Sequence, residues 1–481
     1  MKSSYALELA SQSSGVSQKH FVRSSILLLL AFASAFFSRL LDSAGAPSPI
    51  NFLHFATVPV AAYYAITKSR TKLFRQISIS QQLLFSLLTF LCILIISAIF
   101  NDAGIINVVL SYLLWVEAYF FLCAIICLPL SEESFAFLRK WLIRFSVFHI
   151  GLALLQKVLL DLGIMRTGAM NILQDNIQGV FYLSGGGHVV GASVSISFAI
   201  YCFTQTDMPR FRYAALIAAI TQIVVADAKQ VIFVALVSWV ILILTKITDV
   251  KKIFMYGASA TVGSLVLWWC AYNVEAFRGF RTWIRPEIYG PEGEATLLKS
   301  ASIRIINSYV QEEGIWGWLF GLGPGHTVDR LGGWMIPKYQ SLLAPLGVTE
   351  HPASSEIWDA VYASWLGGKS SMFNPLFGWA GLWGDAGYVG LLAYFVILWV
   401  IWTKCCTDDV TKFLLLTICV NGLIFAQMQE PGFMLYTVLL MGIRWQEENL
   451  DSQRASTSRS LLQKARSLAP VNLNQPNINE Q

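Results

Sequence analysis

Long apolar runs separated by short polar turns dominate the sequence from residue 24 to residue 445. A bilayer core about 30 Å thick requires roughly 20 apolar helical residues for one crossing. The pattern predicts twelve transmembrane helices, at residues 24–41, 50–67, 82–100, 105–128, 141–162, 189–204, 213–226, 231–245, 253–272, 376–402, 413–427 and 432–445. The expected fold class is therefore an all-α polytopic membrane protein.

One long polar segment, residues 273–375, interrupts this pattern between the ninth and tenth predicted helices. Chemistry that needs a site walled off from lipid is expected there. The predicted organisation is an N-terminal segment at 1–23, nine helices within 24–272, a loop domain at 273–375, three helices within 376–445, and a tail at 446–481. The tail is rich in Ser, Gln and Asn and lacks apolar periodicity, so it is predicted to be disordered.

The composition, 55% apolar and 13% charged residues, excludes an ordinary soluble domain. Lys and Arg accumulate in alternate short segments, whereas residues 42–49 and 101–104 contain neither. Because basic residues stay on the cytoplasmic side, both termini are expected to be cytoplasmic and the long loop to lie outside. A basic start, a Leu-rich core and Ala44-Gly45-Ala46 also fit a cleavable signal peptide, but the length of the first helix and Arg39 favour an uncleaved anchor.

The eight cysteines all lie outside the long loop, which excludes a disulfide framework for it. None has a zinc-site spacing, and we expect neither a metal nor a cofactor. The loop is rich in tryptophan. These side chains could form a small core and an interfacial belt, or could provide stacking surfaces for sugars; they are Trp283, Trp316, Trp318, Trp334, Trp358 and Trp365.

Two groups of cationic residues in the loop are candidate phosphate ligands. Arg278, Arg281 and Arg285 follow the ninth helix at helical spacing, so a continuing helix that ends near Pro286 would place them on one face. They could bind a pyrophosphate or simply snorkel to lipid phosphates. Arg304 lies on an apolar-periodic stretch, where a lone Arg is usually solvated.

A glycine-rich turn follows Arg304 along the chain. Gly321, Gly323 and Gly325, with Pro324 between them, predict a tight turn whose backbone can closely approach a ligand. It is not a nucleotide-binding P-loop, because no Gly-Lys-Ser/Thr follows. Separately, Glu117 lies in the middle of the fourth predicted helix, where a carboxylate is costly. It is either functional, or protonated or paired with a neighbour such as His149.

The order of three features resembles the O-antigen ligase and O-antigen polymerase superfamily of bacterial inner-membrane glycan transferases. They are Arg304, the Gly321 to Gly325 turn, and the sequence Gly384-Asp385-Ala386-Gly387-Tyr388-Val389-Gly390-Leu391, with Asp385 and Gly387 at the start of the tenth helix. The resemblance implies a basic residue between the seventh and eighth helices, where this chain has Lys229. Ligases of the family place a His-Asn pair before the acid-glycine motif, and Phe373-Asn374 replaces it here, which favours a polymerase.

The resemblance implies an enzyme whose donor is a polyprenyl-pyrophosphate-linked oligosaccharide. Arg304 and Lys229, with one or more of Arg278, Arg281 and Arg285, are expected to hold the pyrophosphate. His326 on the glycine turn is the first candidate for the general base, and His351 is the second. The expected product is an exopolysaccharide, capsule or O-antigen made on the periplasmic side of the inner membrane.

Three alternatives remain at this point: a ligase that transfers the glycan to a final acceptor, a polysaccharide transporter or flippase, and a scaffold for an assembly complex. Nearly all of the polar sequence lies in one loop. This favours an enzyme over a transporter, because a transporter would place ionisable groups in the middle of the membrane. Expected partners are membrane lipids and the lipid-linked glycan, and could include chain-length regulators or export proteins. Nucleic acid is not expected.

Overall fold

The computed structural model describes residues 24–68, 73–129, 131–165, 172–182, 185–204, 209–246, 250–278, 280–281, 285–367, 373, 375, 378–424 and 426–468. This part of the chain is helical and contains no β-strand. Seven of its helical segments are long and apolar enough to cross a membrane. The prediction of an all-α membrane protein is therefore confirmed, whereas the full number of twelve crossings stays a prediction.

Each of the twelve predicted segments contains a helix. Those before the loop are α1 Ser24–Phe36, α2 His54–Lys68, α3 Phe74–Phe100, α4 Ile105–Cys127, α5 Glu132–Asp161, α6 Gly187–Thr204, α7 Pro209–Val225, α8 Lys229–Leu244 and α9 Val250–Asn273. The main loop helices are α10 Glu294–Glu312, α11 Gly314–Phe320 and α12 Pro352–Ala363. Those after the loop are α13 Gly378–Val400, α14 Asp409–Ile424 and α15 Pro431–Leu468.

Several helices extend beyond their predicted apolar runs. The helix α5 begins at Glu132, because Ser131 caps it by accepting a hydrogen bond from the Ser134 N–H and two acidic residues occupy its first turn. The predicted tail also differs, since α15 continues to Leu468. Glu, Gln, Arg, Ala and Leu in this stretch favour a helix without apolar periodicity. Residues 469–481 of the tail lie outside the described residues.

The centre of the bundle is α4, which packs against α2, α3 and α15. Most of the apolar windows of α4 and α6 is buried, whereas none of the window of α9 is buried. Tyr119 on α4 and Tyr394 on α13 are both buried and joined through their hydroxyl groups at 2.7 Å. Close packing and such interhelical hydrogen bonds hold helices together in a membrane, where lipid removes the hydrophobic driving force.

The long loop packs on one end of this bundle, which we call the loop face. It is formed by residues 42–52, 101–104 and 427–430, the turns between successive pairs of helices. Asn107 Nδ2 donates to the Pro324 carbonyl at 3.0 Å and to the Thr349 carbonyl at 2.9 Å, and Asn51 donates to the Tyr339 hydroxyl. The segment from Leu331 to Leu343 packs on Leu110 and Leu114 of α4. The described part of the loop therefore forms a layer over the bundle.

Candidate functional site

The glycine turn is seated directly on the tenth-helix motif. Gly321, Gly323 and Gly325 all have positive φ, at 75°, 107° and 70°. The Leu322 N–H donates to the Gly384 carbonyl at 2.7 Å. A Cβ atom at position 321 would lie 2.5 Å from that carbonyl oxygen. The turn therefore requires glycine both for its backbone angles and for its close approach to α13.

The helix α13 breaks where it meets this turn. Gly387 has φ 65° and ψ −167°, a conformation reserved almost entirely for glycine. Its missing side chain makes room for the backbone of Leu319, which a Cβ atom would meet at 2.3 Å. Beside the break, the Asp385 carbonyl accepts from the Ser97 hydroxyl at 2.8 Å and from the Gly323 N–H. Two of the three features that carry the resemblance are thus in contact.

The buried Asp385 carboxyl group fixes the end of the turn. It accepts from the Gly325 N–H at 2.6 Å, from the Thr327 N–H at 3.1 Å and from the Thr327 hydroxyl at 2.6 Å. A second buried carboxyl group, Asp329, is hydrogen-bonded to it, and burial raises the pKa of Asp329. Gln429 Nε2 donates to Asp329 at 2.7 Å. Asp385 therefore positions the turn rather than facing a ligand.

His326, the first candidate base, has both ring nitrogens occupied. Its Nδ1 donates to the Leu322 carbonyl at 2.7 Å, so Nε2 accepts from the Thr349 hydroxyl at 2.8 Å. Thr349 accepts in turn from the Gly104 N–H at 3.0 Å. Burial is the main cause that lowers the pKa of His326 to about 4. The ring is neutral at pH 7 and links the glycine turn to the α3–α4 connection.

This environment makes stability depend on the protonation of His326. Its folded pKa, about 4, lies below the ordinary value of 6.5, so the neutral ring stabilises the fold. That contribution is complete above pH 6.5 and is lost as the pH falls towards 4, at a cost of about 3 kcal/mol. In thermal unfolding between pH 7 and pH 4.5, we expect wild-type protein to lose stability more steeply than the His326→Gln variant. Parallel pH profiles would exclude this role.

His351, the second candidate, lines an open cavity of about 370 Å³. Its ring stacks on His326 with centroids 5.6 Å apart. It caps α12, because its Nδ1 accepts from the Ala353 N–H at 3.1 Å. A neutral ring that accepts at Nδ1 carries its proton on Nε2, so His351 offers a donor. The structure thus brings both predicted histidines together and leaves His351 nearer to a ligand space.

Three cationic side chains that sequence reasoning did not select surround Trp334 on the loop face. The guanidinium carbons of Arg39 and Arg330 lie 4.8 and 5.2 Å from the centre of the indole, and Lys338 Nζ lies 4.8 Å from it. We call Arg39, Arg330 and Lys338 the cation cluster. Desolvation lowers the pKa of both Arg330 and Lys338, and the positive charge of Arg39 lowers each further.

Two carboxylates partly neutralise the cation cluster. Arg330 forms an ion pair with Glu430, and Arg39 lies 3.9 Å from Asp42. Among these five groups, three positive charges against two negative charges leave an excess of one. The backbone N–H of Arg330 donates to Gln429 Oε1 at 2.8 Å, and the Nε2 of the same side chain donates to Asp329. Gln429 therefore links the cation cluster to Asp329, which in turn contacts Asp385 beneath the glycine turn.

The buried Glu117 borders this region, and its partner differs from the predicted one. Both of its carboxylate oxygens contact His54 Nδ1, at 2.8 and 2.9 Å, whereas the predicted partner His149 bonds to Gly191. The reason is that α2 begins at His54 and packs along α4, which places the buried His54 side chain against Glu117. His54 also lines a small cleft together with Arg39, Arg330 and Trp334.

The predicted cations of the loop are spread over its surface. Arg304 is exposed on α10 and donates to the Leu297 carbonyl. The predicted helix through Arg278, Arg281 and Arg285 is wrong, because α9 ends at Asn273 and Val274 is extended. Pro286 begins a short helix instead of ending one, since proline favours the first helical position. The three arginines therefore do not share a helical face.

Those three residues make separate contacts. Arg278 is 68% exposed and pairs with Glu275, Arg281 lies over the Tyr272 ring, and Arg285 is exposed. Lys229 begins α8 and forms an ion pair with Asp227. Within the described part of the chain, no hydrogen bond or ion pair joins Lys229 to Arg304. Their shared role in pyrophosphate binding stays a prediction.

Sequence reasoning could have found Arg330, because it follows the glycine turn by five residues and precedes Trp334. It could not have found its neighbour Arg39, which lies beyond the first helix at the other end of the chain. Comparison with known proteins gives no match, either to a family model or to a curated protein.

Proposed function

We propose that this chain is an inner-membrane glycosyltransferase that polymerises polyprenyl-pyrophosphate-linked oligosaccharide repeats on the periplasmic side. Both termini are cytoplasmic in this proposal, and all twelve helices cross the membrane. The loop face is then the periplasmic face. Activated sugars reach that compartment only on a lipid carrier, because nucleotide sugars and ATP are absent there.

The observation that carries this proposal is the convergence of Arg39, Arg330 and Lys338 at the loop face. Their combined charge exceeds that of Asp42 and Glu430 by one, and all three approach a single indole. Guanidinium groups bind phosphate oxygens through paired donors. An indole ring attracts cations through its π electrons without neutralising their charge. A diphosphate bound at the cation cluster would have its lipid tail in the bilayer and its sugar in the loop layer.

The reaction breaks the bond between the anomeric carbon of the donor sugar and the pyrophosphate oxygen. An acceptor hydroxyl oxygen forms the new bond to that carbon and loses its proton to a base. The polyprenyl pyrophosphate leaves with its bonding electron pair, and the cation cluster stabilises this developing charge. Arg304 and Lys229 remain predicted additional contacts to the pyrophosphate. The scheme needs no metal ion and no cofactor.

The acceptor side of the reaction belongs to the cavity beside His351. Because His351 Nδ1 is engaged by the Ala353 N–H, the ring offers an Nε2–H donor that can orient a hydroxyl. Glu350 also lines the cavity and is exposed, so its carboxylate is the group that can accept the hydroxyl proton there. This assignment replaces His326 as the base, since both nitrogens of that ring are occupied.

A cell that lacks the protein tests the proposal through the product that accumulates. We expect lipid-linked single repeats, measured by mass spectrometry of extracted lipids, and no long chains. Wild-type chains would contradict the proposal. Transport of a labelled lipid-linked glycan by the purified protein in liposomes, without chain growth, would identify a flippase instead.

A ligase is the second candidate, and the position of His351 favours it. The sequence lacks a His-Asn pair before the acid-glycine motif, but the structure places His351 at a cavity beside the glycine turn. Accumulation of full-length chains that were never attached to a final acceptor would indicate this function.

A further inference from the structure

We infer that the cavity beside His351 is a saccharide subsite that accepts a neutral or amino-bearing sugar and rejects a sugar that carries a carboxylate. The inference rests on the proposed function, because it assigns this subsite to the acceptor glycan. It adds a substrate class that the cation cluster does not determine. We call this space the acceptor cavity.

The acceptor cavity has the size and lining of a small-ligand site. Its volume of about 370 Å³ lies within the usual range of roughly 300–1,000 Å³. Apolar surfaces and a few polar groups line it: Gly325, Gly332, Pro337, Glu350, His351, Pro352, Ser354, Ser355 and Trp358. Trp358 offers a flat aromatic surface against which the C–H face of a pyranose ring can pack. The lining thus combines a stacking surface with hydrogen-bonding groups.

The electrostatic character of the acceptor cavity is negative. Glu350 is the one carboxylate among its described lining residues, and that lining includes neither Lys nor Arg. His351 does not offset this charge, because burial lowers the pKa of the ring. Glu313 adds a second negative charge near His351, since its charge acts to raise that pKa. A uronate or phosphate in the cavity would be repelled, whereas hydroxyl and ammonium groups would be attracted.

The polar groups match the donors and acceptors of sugar hydroxyls. His351 presents an N–H, while Glu350 presents acceptors only. The hydroxyl of Ser354 donates to the Gly332 carbonyl at 3.2 Å, and that of Ser355 donates to the Pro352 carbonyl at 2.8 Å. Both hydroxyl protons are therefore used internally, which leaves the serine oxygens as acceptors. A ligand rich in donors, such as a polyol, suits this arrangement.

The acceptor cavity and the cation cluster meet at one short segment. Gly332 lines the acceptor cavity, and Trp334 and Met335 line the small cleft that contains Arg39 and Arg330. All three residues belong to the single π-helical turn Leu331–Met335. This turn therefore forms a wall shared by the acceptor cavity and the cleft that contains Arg39 and Arg330.

Saturation-transfer NMR on the full chain in nanodiscs tests the inference, because it detects weak sugar binding. The probes are neutral disaccharides of gluco, galacto and manno configuration, chitosan disaccharide as the amino-bearing probe, and digalacturonate. We expect wild-type protein to give a signal with at least one neutral or amino-bearing probe and at least a fivefold weaker signal with digalacturonate. Glu350→Gln should raise the digalacturonate signal, whereas the control Asp359→Asn, an exposed carboxylate on α12 that does not line the cavity, should not.

Two further variants separate binding from folding. Trp358→Ala removes the stacking surface, and Ser355→Phe fills the cavity from an exposed position without removing core packing. Both should abolish the signal. Equal binding of digalacturonate and the neutral probes by wild type, or a wild-type signal no larger than that of Ser355→Phe, would overturn the inference. Sugar binding without chain growth would contradict the proposed function alone, and chain growth without this sugar preference would contradict the inference alone.

Discussion

The double variant Arg330→Ala/Glu430→Ala is expected to lower chain growth about 100-fold to 1,000-fold, the usual effect of removing one preorganised hydrogen-bond donor that faces a developing negative charge. Arg330 is the member of the cation cluster whose role another side chain could least easily take over. Its guanidinium group is desolvated, ion-paired and in contact with Trp334. Growth is measured with purified protein in liposomes that contain a lipid-linked repeat, by gel separation of the products.

Both partners are replaced because Arg330→Ala alone would leave Glu430 buried without its counter-charge, which destabilises proteins strongly. Arg144→Ala is the matched control. Its guanidinium carbon also lies 4.8 Å from an indole centre, that of Trp141, but on an exposed part of α5 away from the loop face. The control should keep wild-type growth. Wild-type growth in the double variant, with normal membrane levels, would remove Arg330 from the site.

The variant Gly387→Ala is expected to have the largest effect on stability, a loss of about 3 kcal/mol or more in the free energy of unfolding. A side chain at φ 65° and ψ −167° is strained, and the added Cβ atom would meet the Leu319 carbonyl oxygen at 2.3 Å. The glycine turn could then no longer sit on α13. Thermal unfolding of purified protein in detergent measures the loss.

Gly257→Ala on α9 is the control, because a Cβ atom there meets nothing within 4 Å. Alanine is also the better helix former, so this control should be neutral or slightly stabilising. If Gly387→Ala and Gly257→Ala unfold at the same temperature, the break in α13 does not hold the loop layer in place.

The sequence predicts the helices well because apolar runs of bilayer length have few alternatives to a helix. It predicts helix ends less well. The extension of α15 to Leu468 depends on helix propensity in a polar stretch, and the end of α9 at Asn273 depends on a local backbone change at Val274. Neither feature changes the apolar pattern, so that pattern predicts a disordered tail and a continuing helix through Arg278, Arg281 and Arg285 instead.

The candidate site was partly accessible from sequence. The glycine turn and Asp385 were selected, and the structure joins them, because glycines with positive φ let backbone groups reach a buried carboxylate. The cation cluster was not selected. In the sequence, Arg39 indicates only a membrane anchor, and Lys338 has no motif around it. Their proximity depends on how the segment from Leu331 to Leu343 packs on α4, which is a tertiary property.

The role of the histidines shows the same limit. Residue type and position near the glycine turn identified His326 and His351 as candidates, and their rings do stack. Which ring can reach a ligand depends on hydrogen bonds from Thr349 and from the Ala353 N–H. One of those bonds is long-range and the other is set by helix capping, so sequence alone gives no basis for ranking the two histidines.

Equilibrium binding of a polyprenyl diphosphate to the purified protein tests the central claim most directly, since it isolates recognition from transfer. Wild-type protein should bind the diphosphate more tightly than the corresponding monophosphate. The double variant Arg330→Ala/Glu430→Ala should weaken diphosphate binding at least tenfold. The control Arg144→Ala should leave diphosphate binding unchanged. Equal affinity of wild type and the double variant for the diphosphate would contradict the account.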